Sequence, residues 1–347
     1  MKNASESLTP LTEEAIPLRE IGRLERFLGP EFYRIFRGVL TNPLSVIGVG
    51  LITFFILVAI LAPVIIPPVD TVNPFMIPRD GYSAAPKPPG TEWVRRAPEL
   101  PFWYKPLTGK DQWVHILGTA SGQWDIFYGL VWGTRTAIIV GVIIEGVTLA
   151  IGIIVGSVAA FYGGWLDEIL MRITEIFMAF PFIFAALTLS AVLTPRLGKG
   201  IWPPVIAIIA FGWMSYARLI RGDILSIRER DYIMAARVVG VSDLRILFKH
   251  IVPNAIYPTL VLASMDIGSL VILFAALSFL GIGTEVGYAD WGQVISFARN
   301  FISVFTKYWY IIVYPGITLI LFVLGWNLVG DALRDIMDPK MRGQVRR

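Results

Sequence analysis

Leu44 to Ile66 is a run of 23 residues without a single charged side chain. At 1.5 Å per residue a helix of that length crosses the roughly 30 Å hydrocarbon core of a bilayer. Five more long apolar runs follow: Gly129 to Ala160, about Ile169 to Leu193, Ile201 to about Ala217, Ala255 to Leu280, and Tyr308 to Val329. Lipid offers backbone N–H and C=O groups no partner, so runs of this kind must be helical. The expected fold is therefore an all-α polytopic membrane protein with six transmembrane helices. Only 16% of the residues are charged, against about 25% in soluble domains, which agrees with that class.

Breaks between the runs set the organisation. Residues 1–43 form a polar N-terminal segment in which Leu18 to Arg37 places Ile21, Leu24, Phe27, Leu28, Phe32, Ile35 and Phe36 at helical spacing. That segment is expected either to lie along the membrane interface or to enter the first span as a solvated helix. The first apolar run is too long for a signal-peptide core, so no cleavable leader is expected. Residues 44–68 are the first span, ended by Pro67 and Pro68. Residues 69–125 form an insertion whose Trp, Tyr and Pro content points to a small ordered elaboration rather than a linker. A five-span core occupies 126–333, with a basic loop at 221–253, and 334–347 is a basic tail. Pro181 inside the third run implies a kink or a broken helix.

Six of the Lys and Arg residues fall in the N-terminal segment, seven in the basic loop with its edge and five in the tail. The opposite connections hold six within the long 69–125 interval and two each near Arg196 and Arg299. The excess in shorter segments makes both termini and the basic loop cytoplasmic and the insertion external. The net charge of +4 thus reflects orientation in a membrane, and no nucleic-acid partner is expected. The chain has no cysteine, two distant histidines (His115 and His250), and no G-x-x-x-x-G-K-[ST] phosphate loop. No thiol chemistry, no histidine-based metal site and no ATP binding by that loop are expected.

The basic loop has internal grammar. Asp231 can cap a helix continuing through Met234, Ala235, Ala236 and Arg237, with Gly240 as its stop. Ser242 or Asp243 can cap a second helix from Leu244 to His250, limited by Pro253. The expectation is two short rods at an angle. The Ala235-Ala236 pair, three residues, Gly240, then twelve residues and Pro253 resembles the EAA loop of ATP-binding cassette (ABC) importer permeases. Other stretches resemble the dipeptide, oligopeptide and nickel type of these permeases, in the position of the second permease of the pair (DppC/OppC-like). They are His115-Ile116-Leu117-Gly118-Thr119, Tyr162-Gly163-Gly164-Trp165-Leu166-Asp167, Ala179-Phe180-Pro181 and Arg218-Leu219-Ile220-Arg221. Further ones are Arg230-Asp231-Tyr232, His250-Ile251-Val252-Pro253-Asn254, Ala276-Leu277-Ser278-Phe279-Leu280-Gly281, Trp291-Gly292 and Asn327-Leu328-Val329-Gly330-Asp331.

The resemblance covers roughly residues 36–340 and implies a type I ABC importer permease fold in a prokaryotic cell membrane. It implies a loop that docks on an ATPase through Asp231, Ala235, Ala236, Arg237, Gly240, Asp243 and Pro253. It also implies a second homologous permease, two ATPase subunits carrying ATP and Mg, and an extracytoplasmic binding protein, with no cofactor on this chain and no enzymatic activity of its own. Oligopeptides are the cargo it favours, with oligosaccharides as the alternative. Three features depart from the type: Met234 replaces an acidic residue, Ala120 to Asp125 replaces the usual Asp and Gly-Arg-Asp, and the insertion is long.

Two carboxylates, Glu145 and Asp266, fall inside spans, where such groups face protein or a water-filled path. They are candidates for the translocation pathway. A secondary transporter would want more paired charges and an inverted repeat, neither of which is apparent. The aromatics of the insertion suit a small core or an interfacial belt more than a ligand platform.

Overall fold

The structure, a computed structural model, describes residue 38 and residues 42–337. The expected helix at 18–37 and most of the basic tail lie outside these residues. Helix α1 (Pro43–Ile65) starts at Asn42, whose side chain accepts a hydrogen bond from the Leu44 amide at 3.0 Å, with Pro43 in the first turn where no N–H is needed. The insertion follows, with one short helix α2 (Tyr104–Thr108). Helix α3 (Ile126–Tyr162) is 37 residues long, well beyond a bilayer core, and is capped by Asp125.

The third apolar run is two helices, α4 (Gly164–Met178) and α5 (Phe182–Leu197), bent by 87° at Ala179-Phe180-Pro181. Pro181 cannot donate to the turn before it, and it starts α5 instead of ending α4. The fourth run is longer than the sequence suggests. Helix α6 (Trp202–Gly212) passes through Trp213 into α7 (Met214–Ile227), making a 26-residue span that ends ten residues beyond Ala217. Arg218 and Arg221 are thus part of a rod, not of a loop. The remaining elements are α8 (Asp231–Val238), α9 (Asp243–Ile246), α10 (Val252–Phe279), α11 (Trp291–Ser296), α12 (Phe305–Tyr308) and α13 (Tyr310–Met337). Among the described residues five helices are long and apolar enough to cross a membrane, and they are six if the bent pair is counted as one broken span.

Helix α3 packs most extensively on α7, α10 on α13, and α13 on α1. The α3–α7 contact is a close backbone approach. A Cβ on Gly152 would sit 2.8 Å from the Trp213 carbonyl, and one on Gly156 would strike the Ala217 carbonyl. Small residues four apart let two helices approach where lipid supplies no hydrophobic drive.

At the insertion end, Phe55, Trp291 and Phe322 meet with ring centroids 5.2–5.9 Å apart and join α1, α11 and α13. The insertion has its own aromatic core, in which Tyr104 lies 4.3 Å from Trp113 and both are buried. The insertion is tied down by backbone bonds from Ile77 to Gly287 and from Ala289 to Phe75, and by the Trp103 indole donating to the Val64 carbonyl at 3.0 Å.

Candidate functional site

Three places bring chemistry-bearing residues together. The first is the basic loop at the far end of the bundle from the insertion. Arg230, not Asp231, holds the N-cap position of α8 and makes no side-chain capping bond; Asp231 is the first helical residue, where its charge meets the positive end of the helix dipole. At the other end the Gly240 N–H donates to Arg237 and the Val241 N–H to Ala236, at 3.0 and 3.1 Å, with Gly240 at φ 84°. This is a Schellman stop, which requires the left-handed conformation at Gly240. Ser242 occupies the next N-cap position, again without a side-chain bond, and Asp243 begins α9.

Pro253 does not limit this second rod. From α9 the chain passes through a π-turn (Leu247–Ile251) directly into α10, with Pro253 in the first turn of α10 and the Asn254 amide donating to the His250 carbonyl at 2.6 Å. A wide turn and a side-chain donor accommodate a proline that cannot bond backwards. Asp243–Phe279 is thus one 37-residue rod.

Ile233 is the buried residue of helix α8. Ile233 is fully buried among Phe161, Ile220, Ile224, Ile246 and Ile251. Ala236 and Val241 border the same cluster, while Ala235 and Arg237 are exposed. Opposite this anchor, Met234 is exposed, Val238 is 88% exposed and Val239 is 81% exposed. Three of the arginines are committed inward. Arg221 makes a two-pronged ion pair with Asp167 at 2.6 Å for both contacts, Arg228 donates to the Ala160 carbonyl at 2.6 Å, and Arg237 lies 5.7 Å from the Phe161 ring. Part of the loop's charge therefore secures the ends of α3 and α4, while Met234, Val238 and Val239 form an exposed apolar tip among exposed charges that include Arg230, Asp231, Asp243 and Arg245.

The second place is inside the bundle. Glu145 on α3 and Asp266 on α10 are more than a hundred residues apart, and Tyr216 on α7 joins them. The Tyr216 hydroxyl lies 2.7 Å from Asp266 Oδ2 and 3.1 Å from Glu145 Oε2. Tyr216 was not legible as a site residue; its only signal is a lone phenol between apolar and basic stretches. Asp266 and Tyr216 line a cavity of about 750 Å³ with Phe177, Phe180 and Phe211 among its walls. Glu145 sits behind them, buried.

The insertion end carries a third buried polar group. His115 lies between two carboxylates, with Nδ1 2.7 Å from Asp125 Oδ2 and Nε2 3.1 Å from Asp80 Oδ2, and Lys87 pairs with Asp80. Burial pushes the Asp80 carboxyl up, but hydrogen bonds from Lys87, His115 and the Arg95 and Val94 amides together hold it below its ordinary value. Asp125 also accepts from the Tyr128 amide, so this network clamps the insertion to the start of α3. Both ring nitrogens of His115 are occupied, and among the described residues no group of three or more His, Asp or Glu is arranged to hold a metal ion.

Residues 152–343 match the family model described as a binding-protein-dependent transport system inner membrane component, and residues 32–86 match the N-terminal domain of oligopeptide transport permease C. The dipeptide transport system permease protein DppC of Alkalihalophilus pseudofirmus is 34% identical over 88% of this chain and 89% of that protein. The oligopeptide transport system permease protein OppC of Bacillus subtilis is 34% identical over 87% of each chain. The glutathione transport system permease protein GsiD of Pectobacterium atrosepticum is 36% identical over 70% of this chain and 78% of that protein. An inward-facing structure of the MetNI methionine ABC transporter aligns with a TM-score of 0.49 at 21% identity, over 61% of this chain and 98% of that one. With more than half of its length matched, the chain belongs to the family of binding-protein-dependent transport system inner membrane components, as an all-α importer permease.

Proposed function

We propose that this chain is one of two permease subunits of an ATP-driven importer of peptides, placed in a prokaryotic cell membrane with both termini and the basic loop cytoplasmic. The distribution of Lys and Arg supports that orientation. The observation that carries the reading is the exposed apolar tip of α8, formed by Met234, Val238 and Val239, on a helix anchored by Ile233 next to a rod continuous with the fifth span. An exposed apolar patch of this kind suits a partner's cleft. With Met234 where the permease type carries an acid, docking rests on shape and apolar contact. ATP and Mg reside on two partner ATPases, and closure of those subunits pushes α8. Asp231, Ala235, Ala236, Arg237, Gly240, Asp243 and Pro253 shape the lever, and Glu145 and Asp266 lie on the translocation pathway.

The insertion 69–125 and the segment 281–307 form the docking face for a solute-binding protein. The peptide and glutathione names of the relatives favour peptides over the oligosaccharide alternative. Family membership sets aside a secondary transporter. The test is affinity capture of the tagged chain from its native membrane. An ATPase and a second permease co-elute with the wild type, and Val239→Glu loses the ATPase while keeping the permease. Recovery of a homo-oligomer without any ATPase would overturn the reading.

A further inference from the structure

We infer that Asp266, backed by Tyr216 and Glu145, forms a subsite for the primary ammonium group of the cargo, the amino terminus of a peptide first of all. The inference rests on the peptide-importer reading and deepens it. Among the described residues Asp266 is the single carboxylate lining the 750 Å³ cavity, and no Lys, Arg or His lines it. The cavity is of the size that holds small organic ligands, and its phenylalanine walls suit an amine carrying an apolar body. The acid is therefore uncompensated where a ligand would enter, and an uncompensated anion in low dielectric favours a cation.

Hydrogen counting divides the roles of the three groups. A phenol has one hydrogen to donate, yet the Tyr216 oxygen is within 2.7 Å of Asp266 and 3.1 Å of Glu145. One of the two contacts must be made with a carboxyl hydrogen. Glu145 is 5% exposed, and its Oε1 has no hydrogen-bond partner among the described residues, so a charge there would be unsupported. The proton sits on Glu145, which donates to Tyr216, which donates to Asp266, and the negative charge is left facing the cavity. A divalent cation is a poor fit, because it wants six or more oxygens and among the described residues no third acid is arranged with these two. An ammonium, with three donors, needs only Asp266 and neighbouring hydroxyls such as Ser269 and Ser215, which line the same space.

The assembled transporter in detergent, without its soluble binding protein, is titrated with tri-alanine and with N-acetyl-tri-alanine. Tri-alanine is expected to bind at least tenfold tighter. Asp266→Asn erases the difference and Asp266→Glu retains it. N-acetyl-Ala-Lys-Ala recovers the lost binding if a side-chain ammonium serves as the amino terminus does, which supports the same chemistry. Ser269→Lys, one turn along α10, supplies a tethered ammonium and blocks tri-alanine binding even where Asp266→Asn fails to assemble. Equal binding of the two tri-alanine probes by the wild type, or tri-alanine binding unchanged in either Asp266→Asn or Ser269→Lys, overturns the subsite. Tri-alanine uptake by wild-type cells separates the two layers: absent uptake removes the peptide-importer reading, and normal uptake with unchanged Asp266→Asn binding removes the subsite alone.

Discussion

Replacing Ile233 by alanine tests whether α8 transmits force through its buried anchor. The side chain is fully buried between α7, the end of α3 and the π-turn. Truncation removes three buried carbon groups, worth roughly 0.8 kcal/mol each, or about 2.5 kcal/mol before any cavity cost. At about 1.4 kcal/mol per tenfold, local release of α8 becomes roughly 50- to 100-fold more frequent. Amide hydrogen exchange of the purified chain reads this directly. The Val239, Gly240 and Val241 amides, bonded to Ala235, Arg237 and Ala236, should exchange faster by that factor, while amides in the middle of α3 stay unchanged. In the assembled transporter ATP hydrolysis should continue with several-fold less transport per ATP. Unchanged exchange in α8 would refute the role of Ile233 as its anchor. Faster exchange with undiminished transport per ATP would refute the link between anchoring and coupling.

Three further outcomes are expected. Gly240 stands at φ 84° with open space around it, so Gly240→Ala should cost about 1 kcal/mol by backbone strain, Gly240→Asn less, and Gly240→Glu should abolish uptake while membrane insertion persists. Uptake assays beside membrane-fraction blots decide it, and full transport by the Glu variant would count against the coupling role. Arg221→Lys keeps the charge but loses the two-pronged bond to Asp167, costing about 1 kcal/mol at this partly exposed pair, read as a lower unfolding midpoint. Asp290, the buried cap of α11, has its carboxyl pushed up to about 6 by burial, opposed by the Gln293 amide and the Thr284 hydroxyl. A raised carboxylate contributes stability that is complete below its unfolded value near 3.9 and is lost as pH rises through about 6. Asp80, held low, acts in the opposite direction and loses its contribution only as pH falls through its lowered value. Between about pH 4 and 6 the Asp290 contribution amounts to up to roughly 3 kcal/mol, and Asp290→Asn should remove that part of the pH dependence in thermal melts.

What was legible in the sequence follows from solvent. Apolar runs of bilayer length have no other stable outcome, so the spans from Leu44, Gly129 and Tyr308, the break at Pro181 and the all-α class could be read without a structure. The stop at Gly240 was legible too, since a left-handed turn after a helix selects glycine. Helix ends defined by packing were not. Arg218 and Arg221 look like loop residues because they are charged, but they ride on α7, where Asp167 answers Arg221. Pro253 looks like a terminator because proline cannot bond backwards, but a π-turn and Asn254 absorb the defect and carry the rod into α10.

The two intramembrane acids show the division most clearly. Charge inside an apolar run marked Glu145 and Asp266 as exceptional one residue at a time. Their meeting through Tyr216 depends on α3, α7 and α10 converging, and that convergence rests on Gly152 and Gly156 admitting the α7 backbone. Local composition determined what each stretch must be, helix or loop, in lipid or in water. Which side chains share a cavity was decided by how closely the backbones approach, a quantity set by contacts between residues far apart in the chain.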